Sequence, residues 1–347
     1  MKAAVLHQYD ESISMPVLVQ YEDVPNPEIE KGNDVIVRIG GAGVCRTDLH
    51  IVEGLWRSRV NVTLPYVMGH ENAGWVEDVG KGVEGFKKGD PVICHPLITS
   101  DHDLAARRGE DMHSEGSVFP GINADGGYAE LLKTSQRSLV KLPQTLAPKD
   151  VAPYADAGLT AYRAAKKAAR HLLPGQYVVV IGAGGLGHIG IQVLAALCAA
   201  RIIVVDRSDA ALKLAQELGA EYTVKADGNA VEKVKEITKG YGAEAVIDFV
   251  GEGGSIDQGL AMTRNCGYYY VVGYGGEIRI SAMDMITSER TIVGNLVGNY
   301  AELVELMALA DRGRVHLATQ TYKLADANKA LQDLHAGKVR GRAVLVP

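Results

Sequence analysis

Cysteine is scarce in this chain: Cys45, Cys94, Cys198 and Cys266 are the only four in 347 residues, and none is closely paired with another. That scatter excludes a disulfide framework and leads us to expect a reduced, cytoplasmic setting. No apolar run approaches the roughly 18 residues that would suggest a membrane span. The start, Met1-Lys2-Ala3-Ala4-Val5-Leu6, lacks a signal-peptide cleavage pattern and reads as a short strand. No basic stripe stands out, and the formal net charge of −6 disfavours a nucleic-acid partner. Internal repeats and low-complexity tracts are also missing. What remains, with 47% hydrophobic and 22% charged residues, is the composition of a soluble globular protein. At this length the chain is too long for one ordinary core and reads as two domains.

Two rhythms divide the sequence. Up to about residue 150, short β-like runs at 35–39, 74–79 and 90–94 alternate with glycine and proline turns, which predicts a mainly antiparallel, barrel-like domain. From about 153, apolar strands at 177–181, 201–206, 222–225, 245–250 and 268–272 alternate with helical patterns such as 210–218 and 231–237. That alternation predicts right-handed βαβ units and a doubly wound parallel sheet, an α/β fold. The tail predicts a helix over 301–310, a strand over 319–322, a helix near 326–335 and a final strand over 342–346. We expect the tail to return to the first domain, giving 1–152 with 298–347, and 153–297 as the second.

The second domain opens with a dinucleotide signature. Gly182, Gly184 and Gly187 follow five apolar strand residues and open an apolar helix, in the spacing G-x-G-x-x-G. The first glycine allows a tight turn, the second lets a pyrophosphate approach the backbone, and the third lets helix and strand pack closely. The helix N-terminus then offers free N–H groups to the phosphates. Nineteen residues after Gly187, Asp206 ends the next strand. A carboxylate there binds ribose hydroxyls and repels a 2′-phosphate, which favours NAD over NADP, although the adjacent Arg207 is of a type that accommodates such a phosphate.

The first domain carries a metal signature. Cys45 follows Gly40-Gly41-Ala42-Gly43-Val44, read as a glycine-rich bend leaving a strand, and His70 sits in Gly69-His70-Glu71. Thiolate and imidazole are ligands for Zn²⁺, and a catalytic zinc takes three protein ligands and keeps one position open. Glu71 and Asp156 are the candidates for the third, Asp156 lying close to the presumed domain junction. With one thiolate, one carboxylate and a neutral imidazole the site has no net charge. Asp48 is placed to orient His70 rather than to bind metal itself. Thr47, two residues from Cys45, is within reach of a substrate oxygen, and His50 follows three residues later to pass a proton to solvent.

With these motifs on view, the chain resembles the zinc-dependent medium-chain alcohol dehydrogenases over essentially its full length. The likeness is carried by Gly43-Val44-Cys45-Arg46-Thr47-Asp48-Leu49-His50, Gly69-His70-Glu71, the run 79–92, the glycine fingerprint and Asp125-Gly126-Gly127-Tyr128-Ala129-Glu130. The resemblance implies a GroES-like β-barrel catalytic domain with a Rossmann domain inserted before its C-terminal part. It implies Cys45 and His70 as zinc ligands, Thr47 and His50 as a proton relay, and Arg46 and Arg342 near the cofactor pyrophosphate. It places Val272, Gly273, Leu296 and Val297 near the nicotinamide. Gly185, Leu186 and Val250 complete the expected cofactor set.

Two departures from the family pattern matter. Many members have cysteine where Asp156 stands; aspartate is found there in a bacterial subset that includes secondary-alcohol dehydrogenases. Many also carry four clustered cysteines that hold a structural zinc, whereas 95–119 contains no cysteine here. We therefore expect one catalytic zinc and no structural zinc. His102, Asp103, Glu110, Asp111 and His113 in that stretch are of types that bind a metal, and the alternative reading is a solvated lobe held by hydrogen bonds and ion pairs, which we expect. Trp56, Leu97 and Phe119 are the apolar candidates for a substrate pocket. The expected activity is hydride transfer between NAD(H) and an alcohol, ketone or aldehyde, leaning to secondary alcohols. Polyol or amino-alcohol oxidation and NAD binding without catalysis are the alternatives. The expected partners are a small-molecule substrate and copies of the same chain, a tetramer by resemblance, with no nucleic acid and no membrane.

Overall fold

Two separate sets of buried apolar residues organise the computed structural model, which describes residues 1–60, 62–100 and 102–347. The first compact unit comprises Met1–Leu159, Gly298–Asp311 and Leu317–Pro347; the second comprises Thr160–Val297 and Arg312–His316. The division at Leu159, rather than 152, has a local cause: the 3₁₀ turn Ala152–Ala155 is buried throughout, and the Ala157 N–H donates to Glu71. Residues 312–316 fall in the second unit because Gln192 holds both backbone groups of His316.

In the first unit, β1 (Lys2–Leu6) pairs antiparallel with β2 (Gln20–Asp23) and with β4 (Tyr66–Val67). A larger sheet is built on β3 (Asp34–Val44), which pairs antiparallel with β5 (Glu71–Val79), β7 (Leu131–Ser135) and β16 (Arg342–Val346). It continues through β6 (Pro91–Cys94) to β8 (Leu139–Lys141), and on the other side to β15 (Thr319–Lys323), parallel to β16. Leu6, Met68, Tyr128 and Leu139 are among its fully buried side chains.

The run Gly40-Gly41-Ala42-Gly43-Val44 corrects the expected bend, because it is the second half of β3. Two register shifts against β5 curve the strand instead. The glycines serve packing. A Cβ on Gly43 would stand 2.0 Å from Glu71 Oε2, so the missing side chain is the space that a buried carboxylate occupies.

In the second unit, β9 (Tyr177–Ile181), β10 (Arg201–Asp206), β11 (Tyr222–Lys225), β12 (Ala243–Asp248), β13 (Thr263–Val271) and β14 (Thr291–Gly294) form one parallel sheet in the order β11-β10-β9-β12-β13-β14. Numbered within the unit, this is the doubly wound 3-2-1-4-5-6 order. The near-continuous apolar runs of β9 and β10 are what a strand covered on both faces requires. β12 stops at Asp248, two residues short of the sequence reading, because its side chain turns the chain. One carboxylate oxygen accepts the Val250 and Gly251 N–H groups, and the other accepts the Ser255 and Tyr269 hydroxyls.

The cysteine-free stretch 95–119 is held by hydrogen bonds. Asp103 caps the short helix Leu104–Arg107 by accepting from the Ala106 N–H. Arg137 donates to Thr99 Oγ1 and to the Ala106 carbonyl, both at 2.9 Å. Asp111 is buried and accepts the Tyr300 N–H, while Asn299 donates to the Gly109 carbonyl. Asp103 and Asp111 are thus acceptors within this lobe.

Candidate active site

β3 delivers Cys45. The residue caps the helix Arg46–Val52, and its N–H donates to Asp48 Oδ2 at 2.8 Å, so the thiol sits where strand passes into helix. The start of β5 delivers the second element, with His70 directly preceding it and Glu71 as its first residue. Asp156 lies between the buried turn Ala152–Ala155 and the helix Ala157–Ala169. Among the described residues, Cys45, His70, Glu71 and Asp156 are the one group of potential ligands brought together, with an atom from each within 4.8 Å of the others.

The donors are poorly served without a cation. His70 is buried, Nε2 stands 3.4 Å from Asp156 Oδ2, and Nδ1 stands 3.2 Å from Asp48 Oδ1. These are ion-pair distances, yet neither nitrogen makes an aligned hydrogen bond, and Asp156 Oδ1 has none either. Buried polar groups in that condition are costly. Burial opposes a charged imidazolium, but Asp48, Asp156 and Cys45 outweigh it and raise the His70 pKa well above the ordinary histidine range. Cys45 and Asp156, two of the groups that favour that proton, are also donor types that a divalent cation takes. Thiolate, imidazole and carboxylate at two helix starts and at the start of a strand therefore fit Zn²⁺.

Glu71 occupies a different position from Asp156. Its Oε2 accepts from Arg342 Nη2 at 2.5 Å, and its Oε1 accepts from the Ala157 N–H at 3.1 Å. Both partners are buried. Burial pushes the Glu71 carboxyl up, and the Arg342 guanidinium opposes that shift. Arg342, assigned to the pyrophosphate by resemblance, is here turned onto Glu71, since an inward-facing guanidinium on β16 needs a buried counter-charge. Glu71 in turn holds the residue next to Asp156.

Thr47 and His50 are three residues apart on the helix Arg46–Val52, hence on one face, and both are half-buried, whereas Asp48, Leu49, Ile51 and Val52 face the core. Arg46 is exposed. Phe119 meets the His70 ring edge-on, with centroids 6.0 Å apart. Trp56 and Phe119 pack against the first unit's core; Leu97 is buried, and its carbonyl accepts the Ser138 hydroxyl.

The glycine fingerprint has the geometry its spacing requires. Gly182 ends β9 at φ +87°, and a Cβ there would strike Val250 Cγ2 at 2.7 Å. Gly184 is exposed with nothing near its Cβ position, which leaves the backbone open to a phosphate. A Cβ on Gly187 would lie 1.8 Å from the Gly182 carbonyl oxygen, so helix Gly187–Leu197 lies close on the strand. Gly185 and Leu186 are half-buried between them. Asp206 accepts the Ala183 and Ser208 N–H groups, both at 2.7 Å, which fixes it beside the loop. Arg207 is exposed, and its guanidinium reaches toward Gly253.

Val272 and Gly273 donate their N–H groups to the Asp248 carbonyl. Leu296 is exposed; Val297 is buried at φ +43°, a strained setting for a β-branched residue. Reading the sequence missed Asp248, which ties the Val250 loop to the Gly273 loop. The available signal was an acid at the end of an apolar strand, as at Asp206. The buried hydroxyl of Tyr128, which donates to Asp48, was missed as well.

Comparison with known proteins agrees with this geometry. A family profile described as an alcohol dehydrogenase GroES-like domain matches residues 31–144, and one described as a zinc-binding dehydrogenase matches 185–312. An NAD-dependent alcohol dehydrogenase of Sulfolobus acidocaldarius is 39% identical, with 99% of each chain covered. A D-arabinose 1-dehydrogenase (NADP(+)) of Saccharolobus solfataricus is 34% identical over 100% of this chain and 97% of its own. The crystal structure of an alcohol dehydrogenase from the hyperthermophilic archaeon Aeropyrum pernix superposes with a TM-score of 0.95 at 48% identity, covering all of both chains. Full-length likeness at these identities, around a cluster of sulfur, nitrogen and oxygen donors, places this chain in the zinc-dependent medium-chain alcohol dehydrogenase family.

Proposed function

We infer that the protein is an NAD-dependent alcohol dehydrogenase that exchanges hydride between NAD(H) and an alcohol or its carbonyl counterpart, with a preference for secondary alcohols. The observation that carries this reading is the convergence of Cys45, His70 and Asp156, with Glu71 beside them. Cys45, His70 and Asp156 would hold a zinc ion, which when bound would supply a Lewis acid for the substrate oxygen, and a bound dinucleotide would supply the hydride acceptor. The chain's own residues do the rest. Asp48 orients His70, and Glu71 with Arg342 fixes the Asp156 segment. Thr47 takes the proton that leaves the substrate hydroxyl, and His50, on the same helix face, passes it toward solvent. Trp56, Leu97 and Phe119 give the substrate an apolar setting, which favours simple alcohols over polyols that need further hydrogen-bond partners.

One zinc per chain belongs to this reading, because the lobe at 95–119 uses Asp103 and Asp111 as hydrogen-bond acceptors. The domains are the two compact units, 1–159 with most of the tail and the 160–297 insert. The protein acts in the cytoplasm as a homo-oligomer, a tetramer by likeness to its family. The terminal position of β14 in its sheet and the exposed Met283, Ile286 and Leu296 support self-association. Among the described residues no helix is long and apolar enough to cross a membrane. The D-arabinose dehydrogenase relative favours a sugar-oxidising alternative.

Metal analysis and a substrate screen test the reading together. One zinc per chain and a higher kcat/KM for 2-butanol with NAD⁺ than for sorbitol, threonine or D-arabinose are expected. Preference for D-arabinose or sorbitol defeats the alcohol assignment, and two zincs per chain defeat the account of the lobe. The cofactor choice has its own test. Asp206→Gly removes the charge that opposes a 2′-phosphate, and the NADP-to-NAD ratio of kcat/KM should rise about tenfold, equivalent to roughly 1.4 kcal/mol. An unchanged ratio removes Asp206 from cofactor selection.

A further inference from the structure

Tyr128 is fully buried and contributes no ligand atom to the metal cluster, yet it touches both segments that do. Its hydroxyl has a single proton and two acceptors within reach, Asp48 Oδ2 at 2.8 Å and the Gly43 carbonyl at 3.3 Å, so the hydrogen bond goes to Asp48. The same Oδ2 accepts the Cys45 N–H at 2.8 Å. With Oδ2 held from two sides, Oδ1 is the oxygen left facing His70 Nδ1, at an ion-pair distance of 3.2 Å without an aligned hydrogen bond. Burial, and then the neighbouring Asp48, keep the Tyr128 phenol protonated far above its ordinary range, so it is a permanent donor. The ring also stands over Gly69, where a Cβ at φ +98° would fall 2.2 Å from Tyr128 Cδ1. The Tyr128 N–H donates to the Met68 carbonyl, and the Gly127 N–H to that of Gly69.

We propose that Tyr128 is a positioning residue of the metal centre, acting through Asp48. Its hydroxyl locks the Asp48 carboxylate so that Oδ1 stays against His70 Nδ1 and favours the tautomer with the proton there, which would leave the Nε2 lone pair for a metal held with Cys45 and Asp156. Phenylalanine has the same shape and no donor. It would leave Asp48 Oδ2 with the Cys45 N–H alone, free the carboxylate to rotate, and loosen the tautomer of the ring. This inference rests on the zinc reading above.

The test is chelator competition on zinc-loaded wild type, Tyr128→Phe, Asp48→Asn and the double variant, with apo-protein melting as a check on folding. Tyr128→Phe should bind zinc about 10–100-fold more weakly, the range for partners of a ligating histidine. Its cobalt-substituted form should show an altered visible spectrum. In the Asp48→Asn background the same change should alter affinity less than about twofold, as expected for residues acting along one path. Tyr270→Phe, which removes a hydroxyl bonded to the Lys167 carbonyl, controls for stability loss alone and should leave zinc binding unchanged.

Equal zinc affinity and equal cobalt spectra in wild type and Tyr128→Phe overturn the proposal, as does a full effect that persists without Asp48. A wild type that binds no zinc overturns the functional reading as well, which separates the two failures. A second measurement needs no variant. Coupling is reciprocal, so stripping zinc from the wild type should speed solvent exchange of the Tyr128 hydroxyl proton, and identical rates with and without zinc overturn the proposal.

Discussion

Replacing Cys45 by serine is expected to strip the zinc and to lower kcat/KM about a thousandfold or more. A Lewis acid contributes several kcal/mol at the reacting oxygen, and roughly 4 kcal/mol corresponds to that factor. Serine keeps the size and the N–H bond to Asp48, so the fold stays and the thiolate alone is lost. Asp156→Asn should weaken zinc binding strongly, since Asp156 Oδ1 has no other partner. Glu71→Gln should weaken it less, because both Glu71 oxygens are engaged elsewhere. The reverse ranking would move the third ligand to Glu71. Acidity should act on the same site. The raised His70 pKa means that below it zinc must displace a proton, so apparent affinity falls as pH falls. Metal titrations at several pH values, with activity measured on the same samples, check all three. Full turnover in the serine variant ends the assignment.

Removing Arg342 should cost about 3–5 kcal/mol of stability, more than Cys45→Ser or Asp156→Asn costs the zinc-free fold. The Glu71 carboxylate is fully buried, and Arg342 is the cation beside it. Arg342→Met leaves that charge without compensation in a medium that solvates it poorly. The pair itself is not thereby strongly stabilising: taking both charges out of water offsets much of their attraction. The sharper expectation is therefore a cycle. The double variant Glu71→Met with Arg342→Met should be markedly more stable than Arg342→Met alone. Denaturant midpoints on zinc-free protein check this, with the Ala157 N–H, which then loses its acceptor, accounting for part of the remaining loss. A loss under about 1 kcal/mol in the single variant would mean that Glu71 takes up a proton instead.

Much of this was legible in the chain. The strands Tyr177–Ile181, Arg201–Asp206 and Tyr222–Lys225 appear where apolar runs between helical patterns put them. The fingerprint glycines act through local geometry, which a six-residue spacing reports faithfully. The run before Cys45 was misread for the opposite reason. Glycine marks both bends and close packing, and only the partner opposite Gly43, the Glu71 carboxylate, shows which applies. The end of β12 shifted because the Asp248 side chain turns the chain there, independently of hydrophobicity.

By itself, the sequence determined the ligand types, the dinucleotide turn and the alternation that builds a parallel sheet, since each depends on residues close together along the chain. Tertiary structure alone decided that Asp156 joins Cys45 and His70 across 111 and 86 residues, that Glu71 answers to Arg342 on the last strand, and that Tyr128 reaches Asp48. Those contacts are set by which buried charges must find partners once water is excluded. That requirement is met in space, and spacing along the chain does not encode it.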